Sequence, residues 1–115
     1  MDDLTLADIL LPDTGLSVGE VNARYPKRVL LADAKVTRFA PSPTGFLHMG
    51  GLFAALVSER LAHQSGGVFF LRIEDTDKKR EVAGSIPKII DSLKYFNIRF
   101  DEGETEPGVE TGSCR

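Results

Sequence analysis

The segment Pro41-Ser42-Pro43-Thr44-Gly45 constrains this chain more than any other, because it can be neither helix nor strand. Its two prolines remove two backbone donors, fix φ, and push the residue before each of them out of the helical region. The flanking sequence is therefore cut into separate elements. On the N-terminal side Val36, Thr37, Phe39 and Ala40 form a short β-prone run. On the C-terminal side, after Gly50-Gly51, apolar residues recur at Leu52, Phe53, Leu56, Val57 and Leu61, the spacing of one helical face, until Gly66-Gly67 stops the helix. Val68-Phe69-Phe70-Leu71, continued by Ile73, is an unbroken apolar run of strand length, which suits a strand buried on both faces. Strand, loop, helix and strand make a βαβ unit, and such units build parallel sheets covered by helices.

The remaining segments follow the same logic. A last helix is expected from about Ser85, with Pro87 tolerated in its first turn and Ile86, Ile89, Ile90, Leu93 and Phe96 facing inward. The stretch from Asp101 to Arg115 is acidic, contains Gly and Thr, has no period, and reads as a tail. Ahead of the βαβ unit, a short helix from about Leu4 to Leu11 stops at Pro12; a second, opened by Ser17 with Glu20 at capping-box spacing, stops at Pro26. The expected organisation is a helical extension over 1–34, an α/β body over 35–103 and a tail over 104–115. Two parallel strands leave an unpaired edge, so low stability and a tendency to associate are expected.

Bulk properties exclude several classes of function. With 42% hydrophobic and 27% charged residues in a chain of 115, the composition is that of one globular domain and not of a disordered segment. Seventeen acidic against 14 basic residues, a net charge of −3, leave no footprint of a dedicated nucleic-acid binder, so any contact with RNA has to be local. Cys114 is the only cysteine, which rules out an internal disulfide, and a zinc site would have to rest on His48 and His63 alone. No metal site of the chain's own is expected, and the setting is read as reduced and cytoplasmic. The apolar stretch from Leu4 follows Asp2 and Asp3 and is too short to span a bilayer, so neither a signal peptide nor a membrane segment is read.

Two places carry chemistry. The loop from Ala40 to Gly51 lies between the carboxyl end of a parallel strand and a helix N-terminus, the position where open α/β sheets bind ligands. A helix start offers free N–H groups to phosphate. Gly50 and Gly51 would let a nucleotide come close to the backbone, and His48 would donate a hydrogen bond to a phosphate oxygen. No lysine follows at P-loop spacing. The second place is Arg72-Ile73-Glu74-Asp75-Thr76-Asp77, three carboxylates and a guanidinium at the end of the buried strand, where alternation puts Arg72 and Glu74 on one face. Such carboxylates suit magnesium or an ammonium group. By residue type alone the first place is also an ordinary turn, and the second an ordinary solvated strand end with Asp75 or Asp77 as a cap. Lys78, Lys79 and Arg80 come next, where positive charge before a helix opposes the dipole unless an anion is shared. His63, near a helix C-terminus, needs no function.

The full strings separate these readings. Residues 37–51, Thr-Arg-Phe-Ala-Pro-Ser-Pro-Thr-Gly-Phe-Leu-His-Met-Gly-Gly, followed one helix later by Leu-Arg-Ile-Glu-Asp-Thr-Asp at 71–77, resemble the glutamyl-tRNA synthetase family of class I aminoacyl-tRNA synthetases. The resemblance covers about residues 35–103, and it implies the front part of a Rossmann-like catalytic fold with an N-terminal helical arm. It makes His48-Met49-Gly50-Gly51 the family's HIGH motif, with Met49 for the usual Ile and Gly51 for the final His. It implies catalytic roles for His48 and Gly50, an ATP site formed by Thr44, Gly45, His48, Gly50 and Gly51, and a glutamate site formed by Arg38, Ala40, Ser42 and Glu74. Arg38 would grip the substrate's side-chain carboxylate and Glu74 its α-amino group. Asp77, Lys78, Lys79 and Arg80 become candidates for tRNA contact. The implied partners are glutamate, ATP with its Mg2+, and a glutamate-accepting tRNA, in a monomeric parent enzyme.

The family's lysine-bearing KMSKS loop and anticodon-binding region have no counterpart within these 115 residues, so the chain alone is expected to be inactive. Two other readings are compatible with the same motifs. One is the paralogue that attaches glutamate to queuosine in tRNA, which lacks the arm and uses clustered cysteines for zinc. The other is a non-catalytic module that binds glutamate or a nucleotide.

Overall fold

In the computed structural model, which describes residues 2–12, 15–74, 76, 79–106 and 109–112, the elements run α1 (Asp3–Leu10), α2 (Val18–Arg24), β1 (Val36–Phe39), α3 (Met49–Gln64), β2 (Val68–Leu71), α4 (Ser85–Tyr95), β3 (Glu102–Glu106) and β4 (Val109–Thr111). The βαβ unit forms as expected: β1 and β2 pair in parallel from Val36 opposite Val68 to Phe39 opposite Leu71. The Thr37 hydroxyl donates to the Ser58 carbonyl at 2.7 Å and ties α3 to β1.

The expected tail is instead part of the sheet. β3 lies parallel to β2, with Phe70 opposite Glu102 and Leu71 opposite Gly103, and β4 returns antiparallel beside it. The sheet order is β1-β2-β3-β4, three parallel strands and one antiparallel. Glu-Gly-Glu-Thr-Glu has neither β propensity nor an apolar run. It is a strand because β2 offers it a row of unpaired backbone groups, beginning where the Asp101 N–H donates to the Phe69 carbonyl at 2.8 Å.

The inward face of α3 also differs from expectation. Leu52, Ala55, Glu59 and Ala62 are buried, whereas Phe53, Val57 and Leu61 are 68%, 41% and 47% exposed. Both sets have helical spacing; the set carrying two alanines lets the helix approach the sheet closely, so it is the one that packs. In α4, Ile89, Ile90 and Leu93 are buried and Ile86 is partly so. Phe96 lies past the helix end, half exposed, edge-on to Tyr95. Phe69 and Leu71 meet these helices in the core. Val68 and Phe70, on the opposite face, are only half-buried, so β2 is not enclosed on both sides as its apolar run suggests.

That second face is where the N-terminal extension attaches. α1 and α2 bury no residue, and the Ser17–Glu20 capping box forms, with the Ser17 N–H donating to the Glu20 carboxylate at 2.7 Å. Beyond them Arg28 donates from Nε and Nη2 to the two carboxylate oxygens of Glu102 at 2.8 and 2.7 Å, its guanidinium 5.8 Å from the centre of the Phe70 ring. One bidentate contact thereby joins the extension to β3 across 74 residues of sequence.

His63 has a structural role at the other end of the sheet. Its Nδ1 lies 3.0 Å from Glu59 Oε1 and its Nε2 2.9 Å from Asp101 Oδ2, an oxygen that also accepts the Phe69 N–H at 2.8 Å. The bond to Asp101 holds the imidazole above its ordinary value of 6.5, against the opposing effect of burial, with Glu59 adding to the rise. Because the folded value is the raised one, the stabilisation is complete below the ordinary value and is lost as pH rises through the folded value. Urea titrations are expected to show a midpoint that falls as pH rises above the ordinary imidazole value of 6.5, and a His63→Gln chain should lose most of that slope. An unchanged slope in the variant would assign the pH dependence elsewhere.

Candidate active site

The parallel pairing of β1 and β2 brings the two chemistry-bearing segments to one edge of the sheet. Past the strands the pairing continues into the loops: the Arg72 N–H donates to the Phe39 carbonyl at 2.9 Å and the Glu74 N–H to the Pro41 carbonyl at 3.0 Å. Residues 40–43 and 72–74 therefore run side by side. Arg38 Nη1 lies 3.8 Å from Glu74 Oε1, and Arg72 Nε lies 3.2 Å from the same oxygen. Two guanidinium groups share one carboxylate. The side chains of Arg38 and Arg72 are more than half exposed, so these ion pairs contribute little to stability and are free to exchange for a ligand carboxylate. Arg72 belongs to this cluster as fully as Arg38 does. Strand alternation put it beside Glu74, although the family motif assigned it no role.

Across the loop, α3 begins at Met49, with His48 as an N-cap whose side chain makes no capping bond. The imidazole lies over Gly50 instead: a Cβ there would stand 3.2 Å from His48 Cε1 and Nδ1. Glycine at 50 lets the exposed histidine ring rest against the helix start, where a Cβ would push it away by a few tenths of an ångström. Gly51 is turned the other way, toward Leu47 Cδ2 and Phe39 Cζ, where a Cβ would meet them at 3.3 and 3.7 Å. The glycine pair thus divides its work, one member facing the open edge and the other packing α3 on β1. The first N–H groups of α3 have no helical acceptor before Leu52, whose N–H reaches the His48 carbonyl at 3.1 Å.

Of the other expected site residues, Ala40 and Gly45 are half-buried, while Ser42 and Thr44 are exposed on the loop, with the Thr44 N–H donating to the Ser42 carbonyl at 2.8 Å. Lys79 and Arg80 are exposed, ahead of α4. Asp77 and Lys78 lie outside the described residues, as does Asp75. An apolar groove lined by Met49, Leu52, Phe53, Leu56, Phe96 and Ile98 lies on the helical side of the sheet and has no polar side chain to orient an amino acid. The polar cluster, not the groove, is therefore the candidate site. Among the described residues no helix is long and apolar enough to cross a membrane, and no group of three His, Cys, Asp or Glu side chains gathers as a metal would require.

A parallel sheet whose strand ends gather a loop, an open helix N-terminus and an Arg–Glu cluster is the ligand-binding edge of a Rossmann-like catalytic fold. Residues 35–111 match the family described as tRNA synthetases class I (E and Q), catalytic domain, and the chain belongs to that family. Within the family its relatives are glutamate–tRNA ligases. It is 56% identical to the glutamate–tRNA ligase of Acetivibrio thermocellus over 114 residues, which is 98% of this chain and 21% of that one. It is 53% identical over 108 residues to the enzyme of Clostridium perfringens strain 13, covering 94% of this chain and 20% of the relative. The crystal structure of the glutamate–tRNA synthetase of Elizabethkingia anophelis superimposes with a TM-score of 0.59 at 48% identity, over 60% of this chain and 14% of that one. The chain spans about a fifth of the length of the curated relatives it matches.

Proposed function

We propose that these residues form the amino-acid and phosphate portion of the active site of a glutamate–tRNA ligase, with an N-terminal extension over 1–34 and the catalytic body beginning at residue 35. The observation that carries this reading is the Arg38–Glu74–Arg72 cluster at the carboxyl ends of β1 and β2, the same ends from which the loop 40–48 leads into the start of α3. Glutamate has two carboxylates and an ammonium group. A site for it needs guanidinium for one carboxylate, a carboxylate for the ammonium, and a place for phosphate next to the carboxylate that reacts. One relative with a solved structure, from Elizabethkingia meningosepticum, is described in complex with its amino acid.

In the proposed reaction an oxygen of the glutamate α-carboxylate attacks the α-phosphorus of ATP, forming the acyl–phosphate bond as the bond to pyrophosphate breaks. The glutamyl group then passes to the terminal ribose of a glutamate-accepting tRNA. No protein nucleophile takes part, so catalysis is positioning and charge stabilisation. Arg38 binds the substrate's side-chain carboxylate and Glu74 its ammonium group. His48 and the N–H groups at the start of α3 donate to phosphate oxygens, with Thr44, Gly45 and Gly50 lining the approach. Magnesium enters with ATP as the counter-ion of its phosphates. Lys79 and Arg80, exposed beside this edge, suit contact with RNA phosphate.

The test is binding, because the KMSKS lysines that complete turnover in the family are not among these residues. Glutamyl-sulfamoyl-adenosine, a stable mimic of the adenylate, is expected to bind saturably by calorimetry. Arg38→Ala should weaken it by roughly tenfold to a hundredfold, the loss of a charge-assisted bidentate contact. Equal affinity in the two chains would remove Arg38 from the site.

A further inference from the structure

We propose that Ser85 is a positioning residue for the loop that carries the substrate-binding groups, a role that rests on the function proposed above. Pro41 and Pro43 have no N–H, so the loop has few donors of its own, the Thr44 N–H to the Ser42 carbonyl among them, and its proline carbonyls are held from outside. Glu74 holds its first carbonyl through the 3.0 Å bond to Pro41. The second carbonyl, that of Pro43, is held from α4 and the residues just before it. The Val82 N–H donates to it at 2.9 Å and the Ser85 hydroxyl at 2.8 Å, which occupies both lone pairs of that oxygen.

The Ser85 contact is well insulated from water. Ser85 is 1% exposed, Pro43 is buried, and the bond spans 42 residues of sequence. A serine at the start of a helix commonly caps it, yet α4 has Gly84 at its N-cap position and no side-chain capping bond. The hydroxyl of Ser85 is directed across to the loop instead of to its own helix. One turn further on, Lys88 Nζ lies 4.6 Å from the centre of the Phe46 ring, so α4 touches the same loop twice, on either side of Thr44 and Gly45.

The consequence is geometric. Fixing the Pro43 carbonyl fixes the peptide plane between Pro43 and Thr44, and so the path of the loop between the exposed Ser42 and Thr44. Without the hydroxyl, Pro43 keeps one donor and the plane is free to swing about it.

Two readouts on the 115-residue chain test this. Ser85→Ala should speed amide hydrogen exchange at Thr44 by about tenfold, the loss of one buried hydrogen bond, while exchange at Phe69 and Leu71 in β2 stays as it was. In the same variant the affinity for glutamyl-sulfamoyl-adenosine should fall by about tenfold, and Ser85→Thr, which keeps the hydroxyl, should restore both. If Ser85→Ala does not fold, Ser85→Cys, of similar size but a weaker donor, should show the same two changes in smaller measure. Unchanged exchange at Thr44 overturns the clamp. Faster exchange with undiminished affinity overturns the positioning role and leaves a purely structural bond. If the unsubstituted chain fails to bind the analogue, the function proposed above falls and the positioning role with it, whereas the exchange pattern still decides whether the clamp exists.

Discussion

Gly103→Ala is expected to separate β3 from β2 and to cost about 3 kcal/mol or more. Gly103 has φ of +115°, a region that side chains rarely adopt, and a Cβ built on it would collide with the carbonyl oxygen of Leu71. Neither problem has a local remedy. Leu71 is 2% exposed at the end of β2, paired with Gly103 on one side and with Phe39 on the other, so its carbonyl cannot retreat. Urea denaturation is the measurement, with amide exchange at Leu71 and Arg72 as the local probe. The loss should extend to the candidate site, because Arg72 and Glu74 leave β2 immediately after the residue that Gly103 supports. A variant with an undiminished midpoint would mean that β3 does not pair with β2 in this register.

Arg28→Ala is the second large effect, expected at about 2–4 kcal/mol, toward the lower part of the range for breaking buried pairs because the Arg28 side chain keeps 23% exposure. The loss has two sources. The Glu102 carboxylate, 10% exposed, loses a bidentate partner in a place where water cannot fully replace it. The guanidinium also covers the ring of Phe70 on the face of the sheet away from the helices. Arg28→Lys should recover little, since an ammonium group cannot reproduce the two parallel bonds. Arg28→Met with Glu102→Leu should recover much of the loss, since that double change removes both members of this ion pair together. A double-mutant cycle followed by urea denaturation reads all three. If Arg28→Ala and Arg28→Lys are equally harmless, the contact is not what attaches the extension to the sheet.

Much of the architecture is legible in local chemistry. Pro41 and Pro43 separate β1 from α3, Gly66 and Gly67 end α3, the run at 68–71 is a strand, and Ser17 with Glu20 starts α2; each of these depends on residues within a few positions of one another. The candidate site was legible for the same reason. Its residues sit in two short segments, and strand alternation alone pairs Arg72 with Glu74. The misread features all depend on distant partners. The residues from Glu102 onward have no strand signal of their own, and they pair because β2 has an unsatisfied edge. Phe53, Val57 and Leu61 have the spacing of a buried face, but the alanine-bearing face of α3 fits closer to the sheet.

Local chemistry thus sets the element types, the break at the proline loop and the residue types that meet at the sheet edge. These follow from backbone sterics and side-chain period, which act over a few residues. Long-range packing settles which face of α3 is inside, that Glu102–Glu106 is the third parallel strand, that Arg28 reaches Glu102, and that Ser85 bonds to Pro43 rather than to its own helix. Each of those outcomes is a match between a donor, an acceptor or a surface and a partner dozens of residues away. Such a match has no local signature until the sheet brings the two together.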